Sequence, residues 1–214
     1  MTPRRLTNVV AACTIVVAYL TLQLASRGWL YDFDRNAIVL ARRLDVNRTF
    51  FEITVSFGLR GAILTVFVPI LAWLSWTRRS WIPLGGFLVV LLFETGMVGA
   101  LKMVMERPFP YRGQLLLEAP KLAFPSGHAT NSVALWGYLA WFFTRGLPHR
   151  RGTARNFVIF AAATTGISSW LIRTHWPTDL FAGYAIGGIA LATGIALIET
   201  VERAQLSREA NAMS

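Results

Sequence analysis

The sequence predicts an all-α fold, an integral membrane six-helix bundle, on three observations. Apolar residues fill 54% of 214 positions and charged residues only 15%. Six runs, at about 7–25, 59–77, 81–104, 127–144, 156–174 and 177–199, approach the roughly 20 apolar residues a bilayer requires. The basic residues sit in short segments between these runs and do not line one soluble face. With no repeat, low-complexity tract or polar second region, residues 1–214 are expected to form a single membrane domain.

Arg4 and Arg5 precede the first run as they would in a secretion signal, but the run is long and lacks a clean small-x-small cleavage site. It is expected to be a retained helix. The single cysteine, Cys13, lies inside it, so no intramolecular disulfide or cysteine-based metal site can form. Residues 26–58 are too polar to span, and Ala37, Ile38, Leu40, Ala41 and Leu44 are spaced for one helix face. That pattern predicts an interfacial amphipathic helix between spans one and two, or else an ordered loop packed on the bundle.

Trp73, Trp76 and Trp81 bracket Arg78 and Arg79, the mixture of indole and positive charge expected at a membrane surface. Glu94 falls near the middle of span three, where a bare charge is costly. It is either the start of a transport or proton-relay path or a structural partner for a neighbouring helix. Gly183 and Gly187 form a small-xxx-small pair, suited to close packing inside the bundle or to a homo-oligomer contact.

The net charge is +10, yet its distribution argues against nucleic acid as a partner. Ten of the 21 basic residues (Arg4, Arg5, Arg78, Arg79, Arg145, Arg150, Arg151, Arg155, Arg203 and Arg208) lie on one predicted side with few acids among them. The other side carries the remaining eleven, six of them in the long first connection, where Asp32, Asp34, Asp45 and Glu52 are interspersed. The clean arginine clusters predict that both ends face the cytoplasm.

The chemistry-bearing residues collect in two connections on the opposite, extracytoplasmic side, Lys102 to His128 and Arg173 to Asp179. In "FPSGHATNS", Ser126 is a good N-cap, and Gly127 and His128 open the fourth span. Such a helix start offers unpaired amides and a positive pole to an anion. In "RTHWPTDLFAG", Pro177 suits the first helical position and Asp179 the first turn. From there Asp179 could orient His175 as a carboxylate orients a nucleophile's partner. Lys102, Arg107 and Arg173 lie nearby, and Arg112 and Lys121 are weaker cationic candidates. The third histidine, His149, sits with Arg150 and Arg151 in the opposite loop as a surface residue.

Together these residues resemble the type 2 phosphatidic acid phosphatase family, membrane relatives of the vanadium haloperoxidases. Its Pro-Ser-Gly-His motif is intact as Pro125-Ser126-Gly127-His128, and the end of its third motif is intact as His175 with Asp179. The resemblance implies that His175 attacks phosphorus to form a phosphohistidine and that Asp179 supports it. His128 would protonate the leaving oxygen and then activate water. Lys102, Arg107, Arg173 and the Ser126–Gly127 region would hold the phosphoryl oxygens, and no metal or other cofactor is implied.

Both motif arginines are displaced. Where the first motif has arginine seven residues after its lysine, this chain has Phe109, with Arg107-Pro108 two residues earlier. Where the third motif has arginine six residues before its histidine, it has Ser169. If the fifth span stays helical to about residue 173, Arg173 would lie one turn from Ser169 and lean back toward it. Arg107 is the nearest replacement for the first arginine.

The expected function is that of a multi-pass enzyme of the cytoplasmic membrane. It would hydrolyse a phosphomonoester or the terminal phosphate of a lipid (di)phosphate, such as a polyprenyl diphosphate, phosphatidylglycerol phosphate or phosphatidic acid. Two other readings stay open: a lipid-to-acceptor phosphotransferase, and a non-catalytic lipid-phosphate binding or transport protein motivated by Phe109 and Ser169.

Overall fold

Apolar segments in lipid can satisfy their backbone hydrogen bonds only within themselves, which selects helices. The computed structural model describes residues 2–110 and 122–212, so Arg112 and Lys121 lie outside the described residues. Among the described residues every regular element is helical: α1 (Pro3–Ala25), α2 (Trp29–Arg43), α3 (Arg48–Thr54), α4 (Arg60–Thr77), α5 (Ile82–Met105), α6 (Gly127–Thr144), α7 (Arg151–Leu171) and α8 (Pro177–Ala212), plus two short 3-10 turns.

Four of these helices, α1, α4, α5 and α8, are long and apolar enough to cross a membrane. Helices α6 and α7, of 18 and 21 residues, are not among them. Each spends part of its length on polar side chains turned inward: Thr130, Asn131 and Ser132 on α6, and Thr165, Ser168 and Ser169 on α7. These buried polar side chains make the two helices read as less apolar.

Helix α8 runs through the middle, packed on α1, α5 and α6. Its contact with α6 depends on small residues. A Cβ at Gly183 would come within 2.5 Å of the Ser126 carbonyl oxygen, and one at Gly187 within 2.8 Å of the Thr130 carbonyl. The glycine pair thus seats α6 against α8 within one chain, as backbone approach without a lipid-driven force requires. Toward the far end, Phe87, Val90, Leu135, Tyr138 and Ile198 form the apolar core of α5, α6 and α8. The Tyr138 hydroxyl there donates to the Pro83 carbonyl at 2.8 Å.

Residues 29–43 are helical as the spacing predicts, but the buried stripe is not the expected one. Leu30, Asp34, Ile38 and Ala41 face inward, whereas Leu40 and Leu44 are exposed. The inward stripe follows the i, i+4, i+8 and i+11 positions and contains a carboxylate. Trp170 Nε1 donates to the Ala37 carbonyl at 3.0 Å, tying α2 to α7. The connection before α4 is tied to α6 by Asn131, which donates to the Gly58 carbonyl at 2.9 Å, and by Trp136, which donates to the Phe57 carbonyl at 2.8 Å.

Helix α7 ends at Leu171, short of the residue 174 expected from the apolar run. The Thr174 amide bonds back to the Ser169 carbonyl at 2.9 Å and the Arg173 amide to that of Trp170 at 3.0 Å. This is the paired closure of a left-handed helix cap. Arg173 occupies the left-handed position, with φ 61°, where glycine is the usual choice.

Candidate active site

Helices α5, α6, α7 and α8 bring Lys102, the start of α6, the end of α7 and the start of α8 to one end of the bundle. A cavity of about 560 Å³ opens there. Arg60, Lys102, Phe109, Gly127, His128, Asn131, Thr174 and His175 are among its lining residues. The two histidines, far apart in sequence, therefore face one space. At the opposite end, Arg5, Arg145, Arg151, Arg155 and Glu202 share a different cavity, and Arg145 pairs with Glu202 at 2.6 Å.

His128 lies in the first turn of α6, capped by Ser126, whose hydroxyl accepts from the Ala129 amide at 3.4 Å. The amides of Gly127 and His128, first in the helix, have no intrahelical acceptor. A Cβ at Gly127 would meet nothing within 4 Å, so an anion can approach the backbone. Ser126 itself is fully buried, and its amide donates to the Asp179 carbonyl at 2.9 Å. It shapes the helix start and does not line the cavity.

His175 stands just before α8, and its Nδ1 is 3.4 Å from Asp179 Oδ2. That contact leaves Nε2 for a reacting atom. The same Oδ2 accepts from the Trp176 amide at 3.0 Å. The other carboxylate oxygen of Asp179 pairs with Arg107 at 2.6 Å.

The Arg107 guanidinium is consumed by this work. Besides Asp179, it donates to the Thr178 hydroxyl at 2.8 Å and pairs with Asp34 at 2.6 Å, and it lies 5.0 Å over the Trp176 ring. Buried behind His175, it is not among the cavity's lining residues. The side chain expected to grip phosphate instead holds Asp179, behind His175. The chain leaves α5 one residue earlier, at Glu106, which takes a left-handed conformation with φ 41°, and beyond it the Pro108 carbonyl accepts from Trp176 Nε1 at 2.8 Å.

Asp34 was not singled out from the sequence. Its carboxylate accepts from the Thr178 amide at 3.1 Å and from the Thr178 hydroxyl, at the positive end of α8. Burial pushes its carboxyl up from the ordinary value, while Arg107 and the Thr178 bonds hold it down. The available signal was a carboxylate in phase with Leu30, Ile38 and Ala41 on an amphipathic helix.

Arg173 does not continue α7 one turn beyond Ser169, because the helix ends at Leu171. The left-handed cap takes it to a separate pocket of about 150 Å³ with Arg42, Asp45 and Arg48. Ser169 is fully buried. At the other displaced position, the Phe109 ring packs edge-on against the His175 ring, 5.5 Å between centroids. Lys102 reaches the cavity, and its ammonium donates to the Leu122 carbonyl. Among the described residues, no group of three histidine, cysteine, aspartate or glutamate side chains is placed to hold a metal ion.

An apolar helical bundle with two histidines lining one cavity defines a class, and comparison with known proteins gives it a family. The PAP2 superfamily model matches residues 83–203, and the chain belongs to that superfamily as an enzyme of its lipid phosphatase kind, a multi-pass membrane hydrolase. It is 30% identical over 156 residues to phosphatidylglycerophosphatase B of Bacillus subtilis (strain 168), covering 71% of this chain and 74% of that protein. A crystal structure of a transmembrane PAP2 type phosphatidylglycerolphosphate phosphatase from Bacillus subtilis matches with a TM-score of 0.77 at 21% identity, over 90% of this chain and 96% of that one. The crystal structure of LpxE from Aquifex aeolicus matches with a TM-score of 0.55 at 21% identity, over 74% and 92%.

Proposed function

We propose that the protein is a metal-independent lipid phosphatase working through a phosphohistidine on His175. The observation that carries this reading is the sharing of one cavity by His128 and His175, with Asp179 against the Nδ1 of His175. His175 Nε2 attacks phosphorus as the bond to the leaving lipid oxygen breaks, and His128 gives that oxygen a proton. His128 then takes a proton from water, which attacks the phosphohistidine and releases inorganic phosphate and free His175. Lys102 and the amides of Gly127 and His128 stabilise the charge on the phosphoryl oxygens. Arg107 serves as a positioning residue, fixing Asp179 and through it the ring of His175.

Phosphatidylglycerol phosphate is the first substrate to test, on the strength of the relative at 30% identity. The apolar Phe109 wall and the lipid-facing helices suit an amphiphile whose phosphate enters the cavity while its chains stay in the bilayer. We read six spans, α6 and α7 joining the four most apolar helices, with α2 lying along the interface as an amphipathic helix. Exposed Trp73, Trp76 and Trp81 around Arg78 and Arg79 support a cytoplasmic α4–α5 hairpin, which puts the cavity on the extracytoplasmic side of the inner membrane.

The test is phosphate release from phosphatidylglycerol phosphate, phosphatidic acid and a polyprenyl diphosphate by the purified protein in mixed micelles. Turnover must vanish in His175→Ala. With a radiolabelled phosphate group, label is expected as free phosphate; label on a second lipid would replace hydrolysis with phosphotransfer. Full phosphate release by His175→Ala would sink the mechanism.

A further inference from the structure

A phosphate dianion drawn into an apolar bundle needs cationic partners, and the expected arginines are missing from the cavity. Position 109 holds phenylalanine and position 169 a buried serine. Arg107 is spent on Asp34, Thr178 and Asp179, and Arg173 lines another pocket. Lys102 lines the cavity, but an ammonium is a point charge that cannot grip two phosphate oxygens as a planar fork does.

Among the described residues one further cation lines this cavity. Arg60 is the first residue of α4, two positions after Gly58. A Cβ at Gly58 would stand 2.5 Å from the His128 carbonyl oxygen, so the absence of a side chain there lets the segment lie on the start of α6. The same close approach brings Arg60 to the histidine's cavity.

Arg60 is also braced. One of its terminal nitrogens is 2.9 Å from Oε1 of Glu94, a fully buried carboxylate on α5, while the Arg60 side chain remains 35% exposed. The other Glu94 oxygen, Oε2, has no hydrogen-bond partner. A carboxylate that deep in a membrane bundle is costly to keep, and its pairing partner is a residue that faces the anion site. The pair fixes one edge of the guanidinium and leaves other N–H groups of the fork for a ligand. The intramembrane glutamate is thereby accounted for as a brace rather than as a proton path.

We propose that Arg60, held in place by Glu94, is the phosphate-binding guanidinium of this enzyme and replaces the arginines absent at positions 109 and 169. The proposal rests on the phosphatase reading above. Arg60 contacts the non-bridging oxygens of the phosphoryl group, and Glu94 acts only through Arg60 as a positioning residue.

The experiment measures phosphatidylglycerol phosphate hydrolysis in mixed micelles together with protection by orthovanadate, a phosphate mimic, against thermal unfolding. Arg60→Ala is expected to lose about 10²- to 10³-fold in kcat/KM, the range found when a single charge-stabilising donor is removed. It should also lose orthovanadate protection. Arg60→Lys should recover part of the rate, and Ser169→Arg in the Arg60→Ala background should restore activity by returning a guanidinium to the family position. Glu94→Gln should raise KM more than it lowers kcat.

Because Arg60→Ala strands a buried carboxylate, the Arg60→Gln/Glu94→Gln double variant, checked for a wild-type unfolding temperature, carries the decision. If that folded variant keeps wild-type kcat/KM and wild-type orthovanadate protection while His175→Ala is dead, the clamp proposal is overturned and the phosphatase reading stands. If the wild-type protein hydrolyses no lipid phosphate, yet orthovanadate protects it in an Arg60-dependent way, the phosphatase reading fails and the anion site stands.

Discussion

The two walls of the cavity are built differently. Behind His175, every carboxylate oxygen of Asp179 and Asp34 is bonded, and one arginine joins both acids beneath an indole ring. Across the cavity, the wall proposed to hold phosphate includes a lysine, one braced arginine, a phenylalanine and the bare start of a helix. The first wall fixes one atom's direction and tolerates little change. The second has only to present positive charge to a diffuse anion, and charge can be delivered from more than one element. Orientation must be exact to a fraction of an ångström, whereas Coulomb attraction falls off slowly, so under the proposed mechanism the mount of His175 is kept while the clamp is altered.

Substitutions can test that contrast, beginning where the loss should be greatest. His175→Ala should reduce phosphate release by about 10⁴-fold or more, as expected when a nucleophile is removed, with little change in unfolding temperature. Arg107→Ala should cost about 3–5 kcal/mol of stability in a denaturation series, since it leaves two buried carboxylates unpaired. A loss of activity without that destabilisation would move Arg107 to the substrate side of the cavity. Asp34→Asn keeps the shape and part of the bonding; it should lower kcat about tenfold with KM nearly unchanged, because it acts through Arg107 and Asp179.

Gly183→Ala should cost about 1–3 kcal/mol by forcing α8 from the start of α6, read as a lower unfolding temperature. The smallest effect should come from Phe109→Leu, which keeps an apolar wall but loses the edge-on contact with His175. Its kcat/KM for a lipid phosphate should change by about threefold or less. A large fall would mean that Phe109 steers the histidine ring, bringing the holding wall into the orienting machinery.

The sequence made the second wall's departures visible but not their repair. Residues with a local signature were legible: the N-cap before His128, the spacing of His175 to Asp179, the apolar runs and the glycine pair of α8. Each depends on neighbours within a turn or two. Asp34 and Arg60 were out of reach because their roles rest on partners 73 and 34 positions away, Arg107 and Glu94, which no periodicity connects. Arg173 was misplaced for a subtler reason. Its projection onto Ser169 assumed a helix running on to 173, and nothing in the residues announced a left-handed cap made without glycine. Residue Arg107 was identified as part of the site, but spacing could not say which face of the histidine it serves.

The bond between Asp34 and Arg107 has a consequence for how the molecule is made. Asp34 leaves the ribosome early, Arg107 midway and Asp179 almost last, and the three meet only when α8 lies beside α1, α2 and α5. During synthesis the nascent chain therefore carries Asp34, Arg107 and His128 before His175 is mounted on Asp179. Under the proposed mechanism, catalytic competence arrives only with the final helix, and a partly inserted chain would be silent toward the lipids around it.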